Sequence, residues 1–117
     1  MTTGRWQPDP NTRRGPARHE RPSIDEAALV AARAGDRMLR EARDRGAERW
    51  VAYLEPLPDA LRDAELAELR KVGLRARAAY GPKDSVRDAL PPEVTEPFLE
   101  AIDRLLKELA RRTAHEG

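Results

Sequence analysis

The chain has 117 residues, with 39% hydrophobic and 37% charged residues and a formal net charge of +1. That length supports one domain with a modest core, and so high a charged fraction is typical of helices with much exposed surface. With no cysteine at all, disulfides, thiolate metal sites and thiol nucleophiles are excluded.

The charge is unevenly placed: residues 1–22 carry net +3 and residues 23–117 net −2. Basic residues are nearly all Arg, with Lys only at 71, 83 and 107, and together with the abundant Ala this fits a GC-rich bacterial coding sequence. No apolar run approaches the roughly 18 residues a membrane helix needs, and the first residues, MTTGRWQPDPNTRRGP, contain no apolar core of a signal peptide. The expected setting is the cytoplasm, away from membranes.

Met1 to Pro22 is rich in Pro, Gly, Arg and Thr, with Trp6 its one large apolar side chain. Such a segment buries too little to offset its ordering entropy and is expected to be a disordered basic tail. Trp6 beside Arg5 is a candidate anchor for a partner protein.

Ser23-Ile24-Asp25-Glu26 has the spacing of a capping box. The helix it would open carries a stripe at Ile24, Ala28, Ala31, Gly35, Met38 and Ala42, mostly small side chains that permit close helix approach. Asp36–Arg40 and Glu41–Arg45 stand in the favourable acid-first order, and Gly46 suits the position after the helix end.

Ala47 to Leu54 is ambiguous. Trp50, Val51 and Tyr53 favour a strand by propensity, but a lone strand would lack a partner. A helix is expected, with Trp50, Tyr53 and Leu54 on one face, and Trp50 and Tyr53 are candidate protein-contact residues. Pro56 and Pro58 end the segment.

A central helix, capped by Asp59 or Asp63, is expected to run to about Tyr80. Its stripe is Leu66, Leu69, Gly73, Ala76 and Tyr80, and its small middle invites a close crossing at Gly73 and Ala76. Gly81-Pro82 stops it. A short helix from Lys83 or Asp84 to Leu90 precedes the Pro91-Pro92 break. The last helix begins near Pro92 or Glu93, with a stripe at Val94, Phe98, Ala101, Ile102, Leu105 and Leu109, and Thr113 to Gly117 is expected to fray. Pro97 fits best in the first turn.

The fold expected from these elements is all-α: a small bundle of three main helices plus a short connecting helix. It occupies residues 23–113, behind a disordered tail at 1–22 and before a frayed end at 114–117.

Residues for catalysis are scarce. The only histidines, His19 and His115, lie near the two ends, where rigid packing would not hold them against a nucleophile. Neither metal-ligand spacing nor a glycine-rich phosphate loop is present. No catalytic residue, metal, cofactor or small-molecule substrate is therefore assigned. The expected function is a non-catalytic interaction or regulatory module that acts on another protein and self-associates.

The rival reading is nucleic-acid binding. Arg70, Lys71, Arg75, Arg77, Lys83 and Arg87 give the run 70–87 a net +5 against Asp84. Ala79-Tyr80-Gly81 followed by Ser85-Val86-Arg87-Asp88-Ala89-Leu90 resembles the helix-turn-helix core of GntR-type winged-helix regulators. The resemblance spans about a dozen residues and lacks one turn residue. It implies that Lys83 to Leu90 enters a groove while Arg70, Lys71, Arg75, Lys83 and Arg87 meet phosphates and base edges. The bland alternative is a connector with a solvated basic face. An antitoxin-like partner of a second protein also fits the size and charge.

Overall fold

The computed structural model describes the backbone of residues 17–116 and the side chains of residues 17–111. Among these residues every regular element is helical. A 3-10 turn, Arg18–Glu20, leads into α1 (Pro22–Asp44), α2 (Glu48–Leu54), α3 (Leu57–Asp63) and α4 (Leu66–Arg77). A second 3-10 turn, Ala78–Tyr80, then precedes α5 (Val86–Ala89) and α6 (Pro92–Glu116). All-α is confirmed. The helix count is roughly as expected: α2 is the helix expected within 47–54, and α3 is one more, a short helix of its own.

α1 is the helix on which α2, α3 and α6 all pack. Its expected stripe is buried throughout, and so are Ala27, Ala32, Ala34 and Leu39 beside it. So wide a buried face made of alanine gives little transfer energy of its own, about 0.8 kcal/mol per methylene. Its value lies in letting neighbours approach. Phe98, Leu54, Leu57, Leu61, Leu69, Ile102 and Leu105 supply the bulk from the other helices. Gly35 marks a close approach on α1: a Cβ there would lie 3.0 Å from Phe98 Cε1 and 3.4 Å from Pro58 Cγ.

The start of α1 departs from the sequence pattern. Arg21 is its N-cap, without a side-chain cap, and Pro22 takes the first turn, where a missing N–H costs nothing. The Ser23 hydroxyl instead donates to Glu108 of α6 at 3.4 Å, so the expected capping box does not form. Its C-terminal end is as expected. Gly46 sits at φ 67°, its amide donates to Arg43 O at 3.1 Å, and the Ala47 amide donates to Ala42 O at 2.9 Å. This is the Schellman arrangement.

Residues 17–22 are part of the fold rather than of a tail. Arg18 Nη1 donates to the carbonyls of Leu61 (2.8 Å), Arg62 (2.8 Å) and Ala64 (3.0 Å), while its Nε donates to Asp25 at 2.9 Å. Those three carbonyls are ones that a continuing helix would have satisfied with its own amides. The chain instead runs extended through Ala64 (ψ 144°) and Glu65 (ψ 157°) and restarts as α4. Asp59 and Asp63 consequently lie inside α3 and cap nothing in α4. Arg62 reinforces the seating of α3 by pairing with Asp36 of α1 and with Asp59 at 3.1 Å. Asp36 is thereby taken from its expected partner Arg40. Residues 1–16, including Trp6, lie outside the described residues.

α4 buries its expected stripe and rests mainly on α6. A Cβ at Gly73 would meet Leu106 Cδ2 at 2.9 Å, which is the close crossing expected there. α6 buries Phe98, Leu99, Ala101, Ile102, Leu105 and Leu109. It runs past Thr113 to Glu116 and accommodates Pro97 in its second turn, where Glu93 loses one helical acceptor bond. On its exposed side Asp103 binds Arg77 of α4 at 2.9 Å, and Glu108 binds Arg111 at 3.5 Å.

The two buried glycines respond oppositely to substitution. Gly35→Ala drives a Cβ into a fixed buried ring, and the strain outweighs the gain in helix propensity, for a net loss of about 1 kcal/mol. Gly73→Ala displaces only the end of a flexible leucine, so propensity prevails and stability rises by up to about 1 kcal/mol. Thermal unfolding of the two variants checks the opposite signs.

Candidate functional site

The expected contact patch at Trp50 and Tyr53 is not exposed. α2 places the two rings edge to face, with centroids 5.5 Å apart, and Trp50 is only 7% exposed. Tyr53 is half-buried, and its hydroxyl donates to Arg75 O at 2.7 Å. Two arginines cover the pair, Arg49 at 4.9 Å from the Trp50 ring centroid and Arg75 at 5.2 Å from that of Tyr53. These aromatics fasten α2 to α4. Nothing in the local pattern distinguishes that role from a contact patch.

The basic residues divide into two groups. Arg77 and Arg87 are neutralised within the fold. Arg77 pairs with Asp103, and Arg87 grips Glu96 with two bonds of 2.9 Å. Between them lies Tyr80, buried, with its hydroxyl donating to Thr95 O at 2.5 Å and lying 3.5 Å from Met38 Sδ. Arg87 stands 5.6 Å and Arg77 6.0 Å from the Tyr80 ring centroid. Burial, and then the nearby Glu96 charge, push the Tyr80 phenol above its ordinary value, so it stays protonated and donating. These contacts clasp the 78–90 connection onto α6.

That clasp removes what the helix-turn-helix resemblance implied. α5 is a single turn, capped by the Ser85 hydroxyl accepting from the Arg87 amide at 3.1 Å, rather than a helix from Lys83 or Asp84. It is too short to serve as a recognition helix. Val86 is buried, and Arg87 is committed to Glu96.

Arg70, Lys71 and Arg75 remain on the outer face of α4, all exposed, with Lys83 exposed on the following loop. Arg70 meets no carboxylate among the described residues, and Lys71 has only Glu68 at 3.7 Å. Sequence reading had missed a residue among them. Leu74 is 47% exposed, the one large hydrophobic side chain so placed among the described residues. It belongs to a second stripe, Ala67, Lys71, Leu74 and Ala78, all exposed and spaced +4, +3, +4 like the buried stripe on the opposite side. The signal was present: a helix whose apolar residues exceed one face.

The described residues contain no carboxylate and histidine cluster suited to a metal, and none of their helices is long and apolar enough to cross a membrane. His19 is exposed, with Nε2 3.9 Å from Glu20.

The Glu96–Arg87 pair generates a pH dependence. The Arg87 hydrogen bonds, followed by that from the Thr95 hydroxyl, hold Glu96 below its ordinary value. A depressed folded-state value means the contribution is present above the unfolded value of 4.5 and is lost as pH falls through the folded one. Glu96→Gln should therefore melt lower than the parent chain at neutral pH. The gap should close in acid, as thermal melts across pH show.

Comparison with known proteins adds no assignment: no family model, no curated protein and no solved structure matches the chain.

Proposed function

We propose that this chain is a non-catalytic helical interaction module that acts on another protein by docking it along the outer face of α4. The observation that carries the reading is Leu74, an exposed leucine in the middle of a helical stripe and flanked by Arg70, Lys71 and Arg75. An exposed apolar residue alone is unremarkable. One set at the centre of a cationic helix face, with alanine before and after it, has the anatomy of a contact core with a polar rim. The supporting helix is held firmly: its inner stripe is buried against the core, and Tyr53 and Asp103 anchor its two edges. A cytoplasmic setting belongs to the same reading and rests on the lack of cysteine.

The reading revises two earlier expectations. The contact face moves from Trp50 and Tyr53 to α4. Self-association through this face is disfavoured, because a second copy would set Arg70, Lys71 and Arg75 against their own equivalents. Nucleic-acid binding by the same cations is the second reading, favoured by the exposed positions of Arg70, Lys71, Arg75 and Lys83. Leu74 counts against it, since a phosphate backbone gains nothing from an isobutyl group at its centre.

Site-specific photo-crosslinking in the native host tests the choice. A photoreactive aromatic residue at position 74 should give a discrete protein adduct. The same residue at exposed position 100 on α6 should not, and Arg70→Ala with Arg75→Ala should abolish the adduct. An adduct destroyed by nuclease, or identical adducts from both positions, would contradict the proposal.

A further inference from the structure

We infer that the segment received by α4 is an acidic amphipathic helix with an apolar seam, an inference that rests on the docking reading above. The receiving surface is a ridge, the outer side of α4 continued by the first residue of the 3-10 turn that follows it. Ala67 to Ala78 spans eleven residue steps, about 16 Å at the helical rise, which is the length of three helical turns. Its profile is low, high, low: alanine at each end and Leu74 near the middle. Small residues at the ends let a second helical backbone come close, and a single leucine in between supplies a knob for a hole on the facing helix. An extended peptide would find no sheet edge on which to add its backbone bonds, since the described residues form no strand.

Charge sets the character of the partner. On the α4 wheel Arg70 lies to one side of the stripe and Arg75 to the other, with Lys71 within it. A partner helix therefore needs carboxylates on both flanks of its apolar seam. The arginines suit this role, because each can hold a carboxylate with two bonds, as Arg87 holds Glu96 within the fold. Glu68, the acidic residue on this face, already faces Lys71, so the unmatched charge is positive.

Three synthetic 18-residue peptides titrated against the full chain, followed by fluorescence anisotropy, test the inference. The first carries leucines at helical spacing with glutamates on both flanks. The second has the same composition in scrambled order. The third replaces the glutamates by lysines. The first should bind at least about tenfold more tightly than the other two. Its affinity should fall about tenfold or more in Leu74→Glu, and by a similar factor in the Arg70→Glu, Arg75→Glu double variant. Both variants alter exposed positions, and unchanged circular dichroism and melting would show the fold intact. Equal binding of the patterned and scrambled acidic peptides would overturn the helical partner while leaving docking on α4 to stand on the crosslink from position 74. Undiminished binding by the intact Leu74→Glu variant would overturn both.

Discussion

The architecture depends on one guanidinium. Arg18 sits ahead of α1 with its side chain only 12% exposed and closes the end of α3 by binding three carbonyls there. A charged donor at a helix C-terminus is favoured both by the unsatisfied carbonyls and by the helix dipole. Asp25 on α1 balances the charge, with Nε and Nη2 both 2.9 Å from one carboxylate oxygen. The same side chain thus joins the chain before α1, the first turn of α1 and the end of α3.

Closing α3 at that point allows the chain to turn. Through Ala64 and Glu65 it leaves the surface of α1, where α3 lies, and becomes α4 on α6. Had one straight helix run from 57 to 77, its buried residues could not have served both surfaces. Leu57 and Leu61 are buried residues of α3, which packs chiefly on α1. Leu66, Leu69, Gly73 and Ala76 are the buried residues of α4, which packs chiefly on α6 and meets Leu106 at Gly73. The alanines of α1 make the arrangement possible, since α3 and α6 both come close to it. α4, carried to the outside of the bundle, keeps one face free. On that face stand Leu74 and the cations Arg70, Lys71 and Arg75, and the proposed function follows from this placement.

Local patterns made much of the fold legible. The inner stripes of α1, α4 and α6, the Gly46 stop, the Gly81-Pro82 stop and the close crossing at Gly73 all follow from periodicity and from glycine and proline chemistry. The separate helix at 57–63 does not, and the Arg18 side chain that binds the carbonyls at its end lies more than forty residues upstream. Side-chain pairing was legible only in part: Glu41 and Arg45 do pair, at 2.6 Å, but other expected partners changed. Asp36 and Ser23 had plausible roles on their own helix, yet they bind Arg62 and Glu108 once the helices come together. A spacing of four residues gives only a few tenths of a kcal/mol, which tertiary geometry readily overrides. The candidate site was half legible. Arg70, Lys71 and Arg75 stay exposed, Arg77 and Arg87 are spent inside the fold, and Leu74 escaped notice because the opposite stripe accounted for the helix.

Chemical denaturation of Arg18→Met against the parent chain is the measurement closest to the centre of this account. Methionine keeps much of the stem's apolar contact but removes every donor. If Arg18 holds the α3–α4 break, the loss is about 2–3 kcal/mol, the scale of charged hydrogen bonds left unmade in a nearly buried site. Amide exchange should then quicken first in residues 61–66. A loss below about 0.5 kcal/mol, the scale of an ordinary surface substitution, with exchange at 61–66 unchanged, would contradict it.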